Sequence, residues 1–250
     1  MKFSIVTISF NQAEFLEQTI QSVLDQRLKD LEYIIVDPGS TDGSREIIER
    51  YRPHFARVIL EPDKGAADGL NKGFACATGQ LFGFLNSDDV LFPGALTAAT
   101  DYLRANPQLD VVSGDCQIID AEGRYLRKCY SDRFSLVHYA YGSSILIQPS
   151  TFFRAEAYRR TRGFNVENRS NWDGELFVDM ARTGARFGRT RQVWSRYRVH
   201  ERSITGTGRL DARIAAYRER MFRDIMGRAP HRADPIRAAA VRGPPDDEPT

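Results

Sequence analysis

Asn86-Ser87-Asp88-Asp89 is where the chain most plainly offers chemistry. Two adjacent carboxylates repel each other unless something positive stands beside them. A divalent cation does that well, and hard Mg²⁺ or Mn²⁺ prefers carboxylate and phosphate oxygens. Alone, the pair is better explained by one Asp capping the helix that begins near Pro93 while the other is solvated. Asp173, in Asn171-Trp172-Asp173-Gly174-Glu175, opens another helix-like run, and an acid in a first helical turn is ordinarily a capping charge. His200 sits in Tyr197-Arg198-Val199-His200-Glu201-Arg202-Ser203, and a lone His is usually a surface or core residue. No Ser-His-Asp pattern suggests a covalent route. Cys76, Cys116 and Cys129 are odd in number, with no C-x-x-C pair, and read as reduced core thiols.

The elements that must position these residues alternate in type. Strand-like Ile5–Phe10, Tyr33–Val36, Val58–Leu60 and Leu81–Leu85 are interleaved with helix-like runs 14–25, 44–51, 66–77 and 93–106. This βαβαβαβα order predicts an α/β fold, a mostly parallel sheet with helices on both faces. Ligands of such sheets sit at the carboxyl ends of the strands. Polar residues fall at all four of those ends: Asn11, Asp37, Glu61-Pro62-Asp63, and Asn86 to Asp89. One polar strand end means little; four in series predict a continuous polar cleft. Beyond residue 106 the pattern loosens. Strands are expected at 110–115, 144–147 and 187–200, and helices at 154–161, 173–183 and 209–225. The tail from Gly227 is rich in Pro, Arg, Ala and acid and is expected to be disordered.

Composition sets the class. The chain has 250 residues, 42% hydrophobic and 27% charged, which is ordinary for a soluble globular protein. No apolar run approaches the ~20 residues of a membrane span, and no leader is expected at the N-terminus. A cytoplasmic protein is the expectation. Net charge is +2. Residues 1–150 hold 14 Lys and Arg against 20 Asp and Glu, net −6, and residues 151–250 hold 21 against 13, net +8. The basic half is a solvated face, or a patch for an anionic partner such as a diphosphate or lipid headgroup. It carries no RNA-binding or zinc-finger signature, so nucleic acid is not expected.

Several motifs occur in order: Val6-Thr7-Ile8-Ser9-Phe10-Asn11; Ile20 to Gln26; Ile35-Val36-Asp37-Pro38-Gly39-Ser40 to Ser44; Glu61-Pro62-Asp63-Lys64-Gly65; Asp68-Gly69-Leu70-Asn71-Lys72-Gly73; Ala77-Thr78-Gly79; and the Asp pair. The series, over roughly residues 3–205, resembles the family 2 inverting glycosyltransferases of the GT-A fold. It is most similar to the branch that builds bacterial surface and exopolysaccharides. The resemblance implies that Thr7, Ser9, Asn11 and Asp37 hold the base and ribose of a nucleotide-diphosphate sugar. Asp68 and Lys72 would line the donor pocket. Asp88 and Asp89 would bind the ribose and a metal–diphosphate, and His200 falls in the late segment near that metal. Asp173 takes the position of the general base, with Glu175 as the fallback. The segment 148–153 matches a strand bordering the acceptor site. Two departures stand out: Pro38 lacks an N–H and a polar side chain, and Asn86 opens the aspartate motif in place of Asp.

The expectation is a metal-dependent inverting transferase using Mg²⁺ or Mn²⁺, moving a sugar to a glycan or lipid-linked acceptor. A sugar nucleotidyltransferase is the rival, although Asn11-Gln12-Ala13-Glu14 is not the glycine-rich basic loop that would grip a triphosphate. A non-catalytic nucleotide-sugar-binding subunit is the third reading. The expected organisation is a catalytic domain over 1–205, split into a donor half (1–106) and an acceptor half (107–205), then a basic amphipathic helix over 206–226 and the tail 227–250. Within that helix Leu210, Ile214, Tyr217, Met221, Phe222 and Ile225 form one stripe, accompanied by Arg209, Arg213, Arg218, Arg220 and Arg223. The stripe docks on the catalytic domain or on a second subunit, as in a homodimer. The alternative is peripheral contact with an anionic membrane surface at the inner face of the membrane.

Overall fold

The computed structural model describes residues 1–203 and 211–234. Its first part alternates strictly: β1 (Phe3–Ile8), α1 (Ala13–Leu24), β2 (Leu31–Val36), α2 (Ser44–Arg50), β3 (Arg57–Ile59), α3 (Ala66–Ala75) and β4 (Leu81–Asn86). There follow β5 (Val90–Leu91), α4 (Ala95–Ala105), β6 (Val111–Ile119), β7 (Tyr125–Cys129), α5 (Leu136–Ala140), β8 (Thr151–Arg154), α6 (Ala155–Arg159), α7 (Trp172–Arg182), β9 (Phe187–Arg198) and α8 (Asp211–Met226). One sheet runs β3-β2-β1-β4-β8-β6-β9-β5, with β7 added to β6. The β3-β2-β1-β4 block is parallel. Short β8 runs antiparallel between β4 and β6 and joins the block to the parallel β6–β9 pair.

Alternation along each strand explains why these runs are apolar throughout. Phe3, Ile5, Tyr33, Ile35, Leu81, Leu85, Val112 and Phe152 point to one face, against Leu16, Ile20, Val23, Ile48, Leu96 and Leu103 of α1, α2 and α4. Val6, Ile34, Val36, Phe82, Phe84, Val111 and Phe153 point to the other, against α3, α6 and α7. A strand covered on both sides has no polar face to show. Phe74 of α3 is the hub of the second layer, its ring 4.9–6.4 Å from those of Phe82, Phe84, Phe153, Tyr158 and Phe164. The helix approaches closely because Gly73 lies over β1, where a Cβ would stand 2.4 Å from a Val6 methyl.

The register sets up the site. Ile8 pairs with both Val36 and Asn86, and Val36 pairs with Ile59. All four parallel strands therefore end level, and the loops that follow share one rim of the sheet.

The second part departs from the sequence-based expectation in several places. Residues 144–147 are not a strand. The Ser144 hydroxyl donates to the Arg133 carbonyl, Ile145 exchanges bonds with Asp132, and Pro149 turns the chain into one 3-10 turn before β8 begins at Thr151. β7 and α5 carry no apolar periodicity, and β5 is only two residues long; none of the three was expected. Cys76 is exposed at the end of α3, while Cys116 and Cys129 face each other across β6 and β7. α8 lays Tyr217 and Met221 against Val178 of α7, with Phe134, Leu136, Tyr139 and Ile225 around them. Its apolar stripe is thus turned onto the chain itself. Residues 227–234, assigned to the tail by composition, form a turn in which Arg228 brackets the buried Asp234. Arg209, Leu210 and residues 235–250 of the expected helix and tail lie outside the described residues. No described helix is long and apolar enough to cross a membrane.

Glu32 ties β2 to β1 and to the β4 approach. It accepts bonds from Lys2 (2.6 Å), the Ser4 hydroxyl (2.6 Å), and the amide and hydroxyl of Thr78 (both 2.7 Å). Burial alone would push its pKa up, but these donors outweigh it and hold the carboxyl at about 2. A carboxylate lowered in this way stabilises the fold above its unfolded pKa, and the contribution fades as pH falls toward 2. Glu32→Gln should therefore flatten the loss of stability seen in acid titrations of the parent between the usual value of 4.5 and about 2. Phe74→Ala should cost about 3–5 kcal/mol in chemical denaturation, because the rings around it cannot collapse into the vacated space.

Candidate active site

At the carboxyl rim of the sheet lies a cavity of about 520 Å³, walled by Ser9, Phe10 and Gln12 after β1, Pro38 after β2, Pro62, Asp63 and Gly65 before α3, and Asn86 to Asp89 after β4. Trp172, Tyr197, Arg202 and Ser203 close it from the second half of the chain. Buried polar atoms are nearly always hydrogen-bonded, so those that are not call for a partner. Seven side-chain atoms are buried without one among the described residues: Ser9 Oγ, Gln12 Oε1, Asn86 Oδ1, Asp89 Oδ2, Asp115 Oδ2, Asn171 Oδ1 and Trp172 Nε1. Five of them belong to residues that line this single cavity.

The aspartate pair is held from β9. Asp89 is buried, and its Oδ1 accepts the Arg198 N–H at 2.9 Å while Oδ2 faces no donor. Burial, then the neighbouring Asp88 charge, raises its pKa well above the carboxylate range, with Arg198 opposing. The Arg198 guanidinium donates to the carbonyls of Asp88, Asp120 and Ala121 and to Gln18, and it lies over the Phe15 ring. The Thr19 hydroxyl reaches the carbonyls of Ser87 and Asp89. His200 Nε2 sits 3.0 Å from Asp88 Oδ2, its ring packed on Phe15.

Of the residues expected to contact ligand, Ser9, Asp88 and Asp89 line the cavity. The others stand behind it. Thr7 is fully buried and bonded to the Tyr33 hydroxyl. Asp37 spends its oxygens on the amides of Gly39 and Ser40, the Ser40 hydroxyl and Arg45. Asn11, at φ 53°, accepts from Thr41 N–H and donates its own N–H to Ser40, tying the β1 loop to the β2 loop. Asp68 accepts the Lys64 N–H and pairs with Lys72, which donates to the Pro62 carbonyl, so both shape the 61–65 loop. His200 braces Asp88 and does not line the cavity. Gln148 bonds the Phe84 carbonyl and Asn86, and 151–154 lie inside the sheet. Phe10, Asp63 and Arg198 were missed as individual residues. Phe10 is 59% exposed on the cavity rim, and that could have been suspected from an aromatic placed after a buried strand.

A second cavity, about 920 Å³, lies on the other side of the α7 N-terminus and is lined by Tyr139, Tyr141, Asn171, Asp173, Gly174, Tyr217 and further residues of α8 and the 229–234 turn. Consecutive residues thus face different spaces, Trp172 the first and Asp173 the second. The Asp173 carboxylate has no side-chain partner among the described residues; burial raises its pKa, with only the backbone N–H groups of Gly174 and of Asp173 itself opposing. Glu175, one turn position away, is fully engaged by Asn165, Asn168 and Arg220. Gly174 lets the Tyr139 hydroxyl reach the helix, since a Cβ there would stand 2.1 Å from it.

The profile of Glycosyl transferase family 2 matches residues 4–179. The chain belongs to this family. An uncharacterised glycosyltransferase of Nostoc sp. (strain PCC 7120) is 33% identical over 146 residues, covering 55% of this chain and 45% of that protein. Chondroitin synthase of Escherichia coli is 28% identical over 187 residues, 72% of this chain and 26% of that protein. The chain thus spans less than half the length of these relatives. The mannosyltransferase PcManGT of Pyrobaculum calidifontis, solved with GDP-Man and Mn²⁺, superposes with a TM-score of 0.69 at 22% identity, over 96% of this chain and 69% of that one. The GT-A fold is therefore shared.

The donor set suits a hard cation. It offers one unpartnered carboxylate oxygen on Asp89, the adjacent Asp88 carboxylate and the amide oxygen of Asn86. Among the described residues, no group of three or more His, Cys, Asp or Glu is placed to hold a metal ion. Asp89→Asn removes a buried charge that Arg198 and Asn86 offset only in part. Because its folded pKa is raised, stability falls as pH rises from the unfolded value toward the folded one and stays lower above it. The variant should melt higher than the parent at pH 8 without metal, match it near pH 4, and lose any Mn²⁺-induced rise in Tm. A lower melting point at pH 8 would refute the assignment of an incompletely offset charge.

Proposed function

We propose that the chain transfers a sugar from a nucleotide-diphosphate donor, seated in the first cavity, to a hydroxyl of a glycan or lipid-linked acceptor seated in the second, with inversion at the anomeric carbon. The observation that carries this reading is the gathering of five unpartnered polar atoms around one cavity at the strand ends, with a free carboxylate just across α7.

In this reading the exposed Phe10 ring stacks on the nucleobase, a contact open to any base through its π-face. Ser9, Gln12 and Asp63 face the nucleoside, and Pro38 supplies shape without a hydrogen bond. Asp88 and Asp89 would hold the divalent ion, which when bound neutralises charge on the departing diphosphate. Mn²⁺ beside GDP-Man in the mannosyltransferase supports that assignment. Arg198 and His200 keep the pair in place. Trp172 Nε1 can donate to the donor sugar or diphosphate. Asp173 takes the proton from the acceptor hydroxyl as its oxygen attacks the anomeric carbon and the bond to the diphosphate breaks on the opposite face. A carboxylate in this role benefits from its raised pKa, which brings its basicity nearer that of the task. The donor half 1–106 supplies the floor of the site and the 107–205 half supplies its closure. A chondroitin synthase among the relatives supports a role in polysaccharide assembly. With the α8 stripe docked on α7, the described face of this helix that would meet a membrane carries exposed arginines such as Arg213 and Arg223.

Asp173→Asn should keep nucleotide affinity and lose sugar transfer by about 10²–10⁴-fold. Glu175→Gln should retain most activity, since its role is to hold the 165–171 loop. The acidic limb of the transfer rate should lie above the usual Asp range and vanish in Asp173→Asn. A nucleotide-sugar panel with Mn²⁺, scored for the released nucleotide, tests the class. Nucleoside diphosphate is expected, pyrophosphate would indicate nucleotidyl transfer, and no release would indicate a binding subunit.

A further inference from the structure

The second cavity has a charge arrangement that proton removal does not require. Its lining includes the acids Asp173, Glu219 and Asp234 and the cations Arg218, Arg223 and Arg232, with His231 beside them. Most of these charges are answered nearby. Glu219 pairs with Arg223 at 2.6 Å, and Asp234 is gripped by both terminal nitrogens of Arg228, at 2.7 and 3.0 Å. Arg220, on the same helix, is spent on Glu175. Arg218 and Arg232 have no acidic partner among the described residues, and both are exposed at the cavity edge. They approach from different elements, α8 and the turn after it. The same lining includes the aromatic rings of Tyr139, Tyr141, Tyr217 and Phe222. The hydroxyls of Tyr139 and Tyr217 meet at 3.0 Å.

A space with aromatic walls, paired hydroxyls and one free carboxylate suits a sugar that presents a hydroxyl. Two guanidiniums at its edge, without an acidic partner among the described residues, add a demand of their own, since guanidinium forks match carboxylate and phosphate oxygens. We propose that the second cavity selects an acceptor bearing an anionic group, the carboxylate of an acidic sugar or the phosphate of a phosphorylated glycan, which Arg218 and Arg232 hold while Asp173 meets the reacting hydroxyl. The inference rests on the transferase reading for the role of Asp173. The two arginines are specificity residues: they face the acceptor's charge and not its reacting oxygen.

The test uses the full chain saturated with Mn²⁺ and with UDP or GDP, whichever raises Tm, so that the first cavity is filled and phosphate probes cannot enter it. Affinities are measured by calorimetry for p-nitrophenyl β-D-glucuronide, glucose 6-phosphate and the neutral p-nitrophenyl β-D-glucoside. At least one anionic probe should bind about tenfold tighter than the glucoside, a ratio in keeping with two partly solvated charge-assisted contacts. The ratio should shrink in high salt, which screens exposed charges. It should disappear in the Arg218→Ala/Arg232→Ala double variant and persist in Arg213→Ala, an exposed change on the same helix outside the cavity. Whichever of glucuronide and sugar phosphate binds tighter identifies the source of the anion. Equal affinity for charged and neutral probes, a preference that survives the double substitution, or no probe binding to the nucleotide-loaded protein would each overturn the inference while leaving the transferase reading in place. Failure of both nucleotides to bind would instead bring down the transferase reading, and the inference with it.

Discussion

Two carboxylates on consecutive residues end a buried parallel strand, and the energetic cost of placing them there organises the rest of the site. Asp89 lies inside the protein with one oxygen bonded to the Arg198 amide and the other facing none. Isolated buried charge is expensive unless it is paired or bound. The chain answers only part of that demand. Arg198 spends its guanidinium hydrogen bonds on the backbone carbonyls of Asp88, Asp120 and Ala121 and on Gln18, so it fixes the position of the pair and offsets its charge only in part. β9 crosses the sheet to deliver that residue, and β5 exists as the two-residue strand that β9 pairs with beside the motif. The remaining negative charge is left for a ligand.

The same division of labour recurs at α7. Glu175 is locked by two asparagines and an arginine, which anchor the preceding loop, while Asp173 is kept free beside Gly174 and the Tyr139 ring. Trp172 and Asp173 open on separate cavities that meet at the N-terminal turn of α7. Docking of α8 against Val178 then completes the wall of the second cavity. A helix whose apolar stripe was expected to dock on the catalytic domain or a second subunit does pack on the chain itself, and it forms part of the wall of a cavity.

Much of the donor half was legible from residue order alone. Apolar runs of strand length separated by helix-length amphipathic segments leave one economical arrangement, and β1 to β4 match it to within two or three residues at each end. The cleft was legible too, because polar residues after successive parallel strands must share a rim. The 144–147 run misled for a physical reason: Ile145, Leu146 and Ile147 are apolar, but Asp132 answers the backbone of Ile145 and the Thr151 hydroxyl and Ser150 amide answer the Ile147 carbonyl, so no ladder is needed. β7 escaped notice because an edge strand with exposed side chains shows no periodicity.

What the amino-acid sequence determined by itself was the parallel block, the rim it creates, and the residue types that meet there. What only the tertiary structure decided was which of those residues line the cavity. Asp37, Asn11, Asp68 and Lys72 carry the right chemistry and sit in the right loops, yet the loops need internal donors and acceptors to hold their shape, and these side chains are consumed in doing so. Phe10, Asp63 and Trp172 face the cavity because the level ends of the strands and the approach of α7 leave them there. Hydrogen-bond partners across 30 to 110 residues settle such questions, and no local pattern in the chain encodes them.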